Sequence, residues 1–153
     1  MTNRTDPAAV ARPILAIETG GRACSVAIVS ASGAVLAQES APTDHGHATM
    51  LMPMIERVRT AAGLGYAELG RIAVAIGPGS FTGLRVGLAA AQGLALAANI
   101  PVIGISSFLT VVPKERDGMR LIVVLDSRRE EPFFAEIDPA LRFQQPPAVV
   151  SPQ

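Results

Sequence analysis

Lysine is almost missing from this chain. Twelve of its thirteen cationic side chains are arginine, and the one lysine is Lys114, in a probable turn. A catalytic or phosphate-gripping lysine therefore has a single candidate. Cysteine occurs once, at Cys24, which excludes an internal disulfide and gives no sign of an oxidising compartment. Net charge is absent too, because thirteen basic and thirteen acidic groups cancel. Proteins that hold nucleic acid through their own field concentrate Lys and Arg, so strong independent binding of nucleic acid is not expected. No uninterrupted run of eighteen apolar residues exists, which argues against a membrane span. Residues 1–12 are polar, include Pro7, and lack the apolar centre of a signal peptide, so they read as a loose tail. What remains is a cytoplasmic globular chain of 153 residues, nearly half apolar, enough for one domain with its own core.

Residues 14–19 (ILAIET) form a short apolar run closed by Gly20 and Gly21, the pattern of a buried strand and a tight turn. Residues 24–30 alternate Cys24, Val26 and Ile28 against Ser25, Ala27 and Val29, and a turn at 30–33 leads to a third strand at 34–40. Connections this short demand antiparallel pairing, because a parallel pair needs a longer crossover. The period then changes. Between 48 and 62, Met50, Leu51, Met54, Ile55 and Val58 fall on one helical face, with Pro53 expected to delay or kink the helix start. Residues 71–76 read as a fourth strand, stopped by Gly77-Pro78-Gly79. A second helix follows at 82–99, ended by Asn99 and Pro101. A fifth strand is expected at 101–106.

The order β-β-β-α-β-α-β is that of the α/β half-domain shared by ribonuclease-H-like and actin-like ATPase folds, spanning 13–107. Residues 108–153 differ. A helical turn at 108–112, a polar loop, and strands at 121–126 and 131–137 precede a stretch with Pro139, Pro146, Pro147 and Pro152, where no regular element is expected. This part reads as a second lobe that stops early.

Two stretches carry a resemblance: GPGSFTGLRVG at 77–87, running on to PVIGIS at 101–106, and ILAIET at 14–19 with CSVA at 24–27. With His47 and the LMPM of 51–54, they resemble the TsaB (YeaZ) family, relatives of the TsaD threonylcarbamoyl transferases, over roughly residues 14–138. The resemblance implies a non-catalytic scaffold and activator that pairs with TsaD. TsaD transfers threonylcarbamoyl to the adenosine beside the anticodon of tRNAs reading codons that begin with A. It also implies a small ATPase partner, TsaE, contact with tRNA only through the complex, and a homodimer when TsaD is absent. No cofactor of its own is expected, with ADP or ATP at the joint with TsaD. The rival readings are a glycoprotease-like peptidase, a weak ATPase, or a self-dimerising interaction protein.

TsaD-type enzymes hold a metal through two histidines four residues apart on one helix face. Here His47 matches the first position, but Leu51 stands at the second, and His45 is two residues away, pointing elsewhere on a helix. No metal site is expected. For a protease, Ser80 or Cys24 would need His45 or His47 as a base, and the spacing gives no support. The glycine loop lacks the lysine of a P-loop and the spacing of a dinucleotide fingerprint. Its N–H groups near Gly79, Ser80 and Thr82 suit an anion; alternatively Ser80 or Thr82 caps the helix while the glycines permit the turn. The second reading is preferred. Glu18 and Thr19 end the first strand where actin-like ATPases place an acidic group, with Asp126 as a second-lobe counterpart, so the resemblance makes them a relic of a nucleotide site.

The second helix is apolar almost all round, with only Arg85 and Gln92 polar between 83 and 98, and so requires cover on both sides. Gly83, Gly87, Ala91 and Ala95 recur every fourth residue, a small-residue ridge that admits a close helix. With Arg85, and with Met50, Leu51 and Met54 of the first helix as adaptable contacts, this ridge is the expected partner interface.

Overall fold

Strand alternation in the first hundred residues builds one sheet. In a computed structural model that describes residues 11–43, 46–115 and 117–149, with only the backbone of His47, strands β1 (Ile14–Glu18), β2 (Ala23–Val29) and β3 (Val35–Pro42) pair antiparallel in sequence order. Helix α1 (His47–Ala61) and a 3-10 turn (Tyr66–Glu68) lead to β4 (Arg71–Ala75), parallel to β1. Helix α2 (Phe81–Ala98) then crosses to β5 (Val102–Ile105), parallel to β4. The five strands lie in the order β3-β2-β1-β4-β5. Both helices cover the same face, α1 over β2 and β3, α2 over β4, β1 and β5.

The buried side of each strand supplies this core. Leu15 and Ile17 of β1, Val26 and Ile28 of β2, and Ile72 and Val74 of β4 pack with Leu51, Met54, Ile55 and Val58 of α1. Each such side chain removed from water stabilises the fold by about 1.5–3 kcal/mol. Helix α1 starts at His47 rather than after Pro53, whose ring lies on the exposed side of the continuous helix. The missing N–H of Pro53 removes one helix hydrogen bond, and the helix runs on to Ala61. Helix α2 is capped at both ends. Ser80 Oγ accepts from Gly83 N at 3.3 Å, and Asn99, at φ 53°, donates its N–H to the Ala95 carbonyl.

The small-residue ridge faces inward. Gly83, Gly87, Ala91 and Ala95 are the buried residues of α2. A Cβ at Gly83 would run into the carbonyl oxygen of Thr19, and one at Gly87 into its hydroxyl. Thr19 Oγ1 donates to the Gly83 carbonyl at 2.8 Å. The four-residue period therefore serves the approach of α2 to its own sheet. Leu51 and Met54 are core residues and Met50 is packed against that core. Of the eight expected interface residues only Arg85 is exposed, and six are buried. This corrects the expectation that the ridge is offered to a partner. The outward side of α2 instead carries Phe81, 68% exposed, Leu96, 85% exposed, and Arg85, whose guanidinium stacks 3.7 Å from the Phe81 ring centre. Helix α2 is long and apolar enough to cross a membrane by length and composition alone, yet its ridge is spent on the sheet.

A second sheet holds β6 (Leu121–Leu125), β7 (Phe133–Ile137) and β8 (Ala148–Val149), antiparallel in that order. The helical turn α3 (Ser107–Thr110) lays Phe108 on Val123, Ala135 and Ile137, with Phe143 edge-on to Phe108 at 6.1 Å. Strand β8 falls where no regular element was expected. Its two residues come just after Pro146 and Pro147, so the prolines bound the strand without interrupting it.

Two glycines of α2 separate the readings of the ridge. Gly87→Ala should lower stability by about 1–3 kcal/mol, because the methyl group has no room. Gly93→Ala, with nothing within 4 Å of a new Cβ, should raise it by up to about 1 kcal/mol. Urea unfolding midpoints of the two variants should move in opposite directions.

Candidate functional site

The C-terminal ends of β1 and β6 face one another across a cleft of about 230 Å³. Glu18 ends β1, and its Oε1 accepts from the N–H of Gly20, while Thr110 Oγ1 of α3 lies 3.5 Å from Oε2. The Gly77–Ser80 loop, entered through a cis Gly77-Pro78 peptide, is laced to the same turn. Ser80 N donates to Gly20 O at 2.8 Å, and a Cβ on Gly79 would come within 2.6 Å of that oxygen. Only glycine lets the two turns touch.

From the other side, Asp126 follows β6. It accepts from the Nε and Nη2 of Arg22, on the β1–β2 turn, and from the backbone N–H of Arg128. Arg128 Nη2 in turn donates to Gly21 O at 3.3 Å. Two residues of the second lobe thus clasp the β1–β2 turn of the first. The Arg22 guanidinium, and next the Arg128 N–H, hold the Asp126 carboxyl below its ordinary value.

Of the residues expected to mark a nucleotide site, Glu18, Gly79 and Asp126 line this cleft. Thr19, Ser80 and Thr82 do not. Thr19 is buried under α2, Ser80 caps that helix, and Thr82 is an exposed residue of its first turn. The cleft holds about 230 Å³, Gly79 is pressed against Gly20 along one wall, and both acidic groups accept internal hydrogen bonds. Among the described residues no group of three His, Cys, Asp or Glu could hold a metal ion.

Of the residues of the peptidase reading, Cys24 and Ser80 can be placed. Cys24 is buried on the helix side of the sheet, and burial pushes its thiol pKa up, away from the reactive thiolate. Ser80 Oγ serves the helix cap. His45 and the side chain of His47 lie outside the described residues. Leu51, at the second position of the histidine pair, lies in the core, so no ligand could project from there.

A second concavity, of about 520 Å³, opens on the sheet face away from α1 and α2. Its floor is alanine: Ala16 is paired in register with Ala27 on β2 and with Ala73 on β4. Sequence reading missed it, although the signal was present as Ala16, Ala27 and Ala73, each between large buried residues of its own strand.

A tRNA N6-adenosine threonylcarbamoyltransferase (TsaD) family profile matches residues 34–144. The tRNA threonylcarbamoyladenosine biosynthesis protein TsaB of Escherichia coli is 38% identical over 127 residues, 80% of this chain and 54% of that protein. A solved structure of YeaZ from Pseudomonas aeruginosa superposes with a TM-score of 0.82 at 29% identity, covering 93% of this chain and 68% of that one. This chain belongs to the TsaB (YeaZ) family. Its fold is that family's α/β half-domain of actin-like, ribonuclease-H-like type. A tRNA N6-adenosine threonylcarbamoyltransferase of Erythrobacter litoralis is 36% identical over 110 residues, 62% of this chain. The chain spans about half the length of the curated relatives it matches.

The clasp between the lobes should respond to acid. The Arg22 guanidinium and the Arg128 N–H hold Asp126 below the ordinary aspartate value, so its contribution is present above that ordinary value and is lost as pH falls through the lower folded pKa. Protection of the Arg128 amide, taken relative to its intrinsic exchange rate at each pH, should fall on acidification below about pH 4. Asp126→Asn should lower that protection at neutral pH and remove its further fall in acid.

Proposed function

We propose that this chain acts in the biosynthesis of threonylcarbamoyladenosine on tRNA as a non-catalytic scaffold and activator paired with a TsaD-type transferase. The observation that carries this reading is the outward face of α2. Phe81 and Leu96 stand in water there, with Met52 exposed on the neighbouring helix α1, an apolar face of the kind that a partner covers. The names of the relatives support the pathway. Leu51 in place of a second histidine, buried in the core, supports a partner without the transferase metal.

The contact is made by residues other than those of the small-residue ridge: Phe81, Arg85, Gln92 and Leu96 of α2 with Met52 of α1, all exposed. The balanced charge of thirteen basic and thirteen acidic groups supports tRNA binding through the complex, in the cytoplasm, with a TsaE-type ATPase joining it. Any ADP or ATP in that assembly is expected at the joint with the transferase rather than in the 230 Å³ cleft.

The test is light scattering on the chain mixed with its cognate TsaD-type transferase. A one-to-one complex is expected, and Leu96→Glu or Phe81→Asp should weaken it by about 100-fold or more, as for loss of a central apolar anchor. Both positions are exposed, so the thermal midpoint of the free chain should not fall. Absence of a complex with the folded native chain, or a complex indifferent to both substitutions, overturns the reading.

A further inference from the structure

We propose that Arg85 is the charged anchor of the outward α2 face and receives a single Asp or Glu carboxylate of the transferase; this rests on the proposed transferase contact. Five arginines of the chain already hold a carboxylate: Arg22, Arg57, Arg59, Arg120 and Arg142. Arg85 holds none. It is exposed, and among the described residues it makes no hydrogen bond or ion pair. Its guanidinium instead lies over the Phe81 ring, 3.7 Å from the ring centre. That contact covers one face of the plane and restrains a flexible side chain, while the N–H groups at the rim stay open. A carboxylate that accepts two of them is served by a fork already held in place.

The placement does nothing for the helix itself. Phe81 is the first residue of α2, so the guanidinium sits over the turn where the helix dipole is positive and a cation is disfavoured. No acidic side chain stands in that turn to offset it, and residues 81–98 contain no other charge. An arginine that opposes its own helix and lacks an internal acid is explained by an acid supplied from outside.

A carboxylate suits this position better than a phosphate. The N-terminus of α2 is already closed, since Ser80 Oγ accepts from Gly83 N and Ser80 N donates to Gly20 O. One fork on the flank of the helix remains, beside an aromatic ring, whereas a phosphate site gathers several donors. Leu96 lies eleven residues further along the same face, about 16 Å by helical rise. The two ends of the contact are therefore unlike, one taking an acid and the other an apolar pocket, which fixes the direction in which a partner lies. A second copy of this chain is a poorer match. Its α2 offers no acid, and Glu56, the one carboxylate of α1, is taken by Arg59 and Tyr66.

The scarcity of lysine, with Lys114 alone in the native chain, makes Arg85→Lys a specific probe. A zero-length carbodiimide joins an amine to a carboxylate in direct contact and leaves arginine untouched. In the complex with the cognate transferase, Arg85→Lys should cross-link from position 85 to an Asp or Glu of the transferase, located by peptide mass spectrometry. Arg85→Gln should weaken the complex about tenfold or more and flatten its salt dependence, while the thermal midpoint of the free chain stays unchanged. A complex that ignores Arg85→Gln overturns the inference, as does a position 85 that cross-links to nothing or to Glu56 of a second copy. So does an effect of Arg85→Gln that appears only when ADP or ATP is added, which assigns the fork to a phosphate. All three outcomes leave the transferase contact standing. Failure of the native chain to form any complex overturns that contact, and this inference with it.

Discussion

The approach of α2 to the end of β1 governs the rest of the molecule. Thr19 sits at the contact, its hydroxyl bonded to Gly83 across 64 residues of sequence, and no side chain fits at Gly83 or Gly87. That closeness brings the Gly77–Ser80 loop down on Gly20 and so fixes one wall of the cleft between the lobes. A buried, satisfied hydroxyl in a close-packed contact tolerates little displacement. The fold of the first sheet and the shape of the cleft therefore share one constraint.

Two kinds of surface follow from this arrangement, and they differ in strength. The lobes are clasped by Arg22, Asp126 and Arg128, groups exposed to water, and exposed ion pairs contribute little individually. The clasp sets an orientation more than it stabilises one. The outward face of α2 is apolar at Phe81 and Leu96, and covering such side chains is a larger and less salt-sensitive gain.

Much of the fold was legible because each element states its own period. The alternation of Cys24, Val26 and Ile28 against small residues marks a strand with one buried face. The spacing of Leu51, Met54, Ile55 and Val58 marks a helix with one buried side. The elements missed were those with no local signature: the 3-10 turn at Tyr66–Glu68 and the two-residue β8, which exists only because β7 offers an edge.

The sequence by itself determined which strand and helix positions are apolar, the order of the elements along the chain, and the lack of a histidine four residues after His47. These are local matters, decided by side-chain chemistry at a fixed spacing. It did not determine which surface a buried residue meets. Small residues every fourth position are the same signal whether a helix closes on its own sheet or on another chain, since both need only the absence of a Cβ. The tertiary structure chose the sheet, by placing Thr19 beneath Gly83 and Gly87, and left Phe81 and Leu96 facing water instead. Likewise Glu18 and Asp126, 108 residues apart, became neighbours across one cleft only through the pairing of each lobe's own strands, a relation carried by no local stretch of chain.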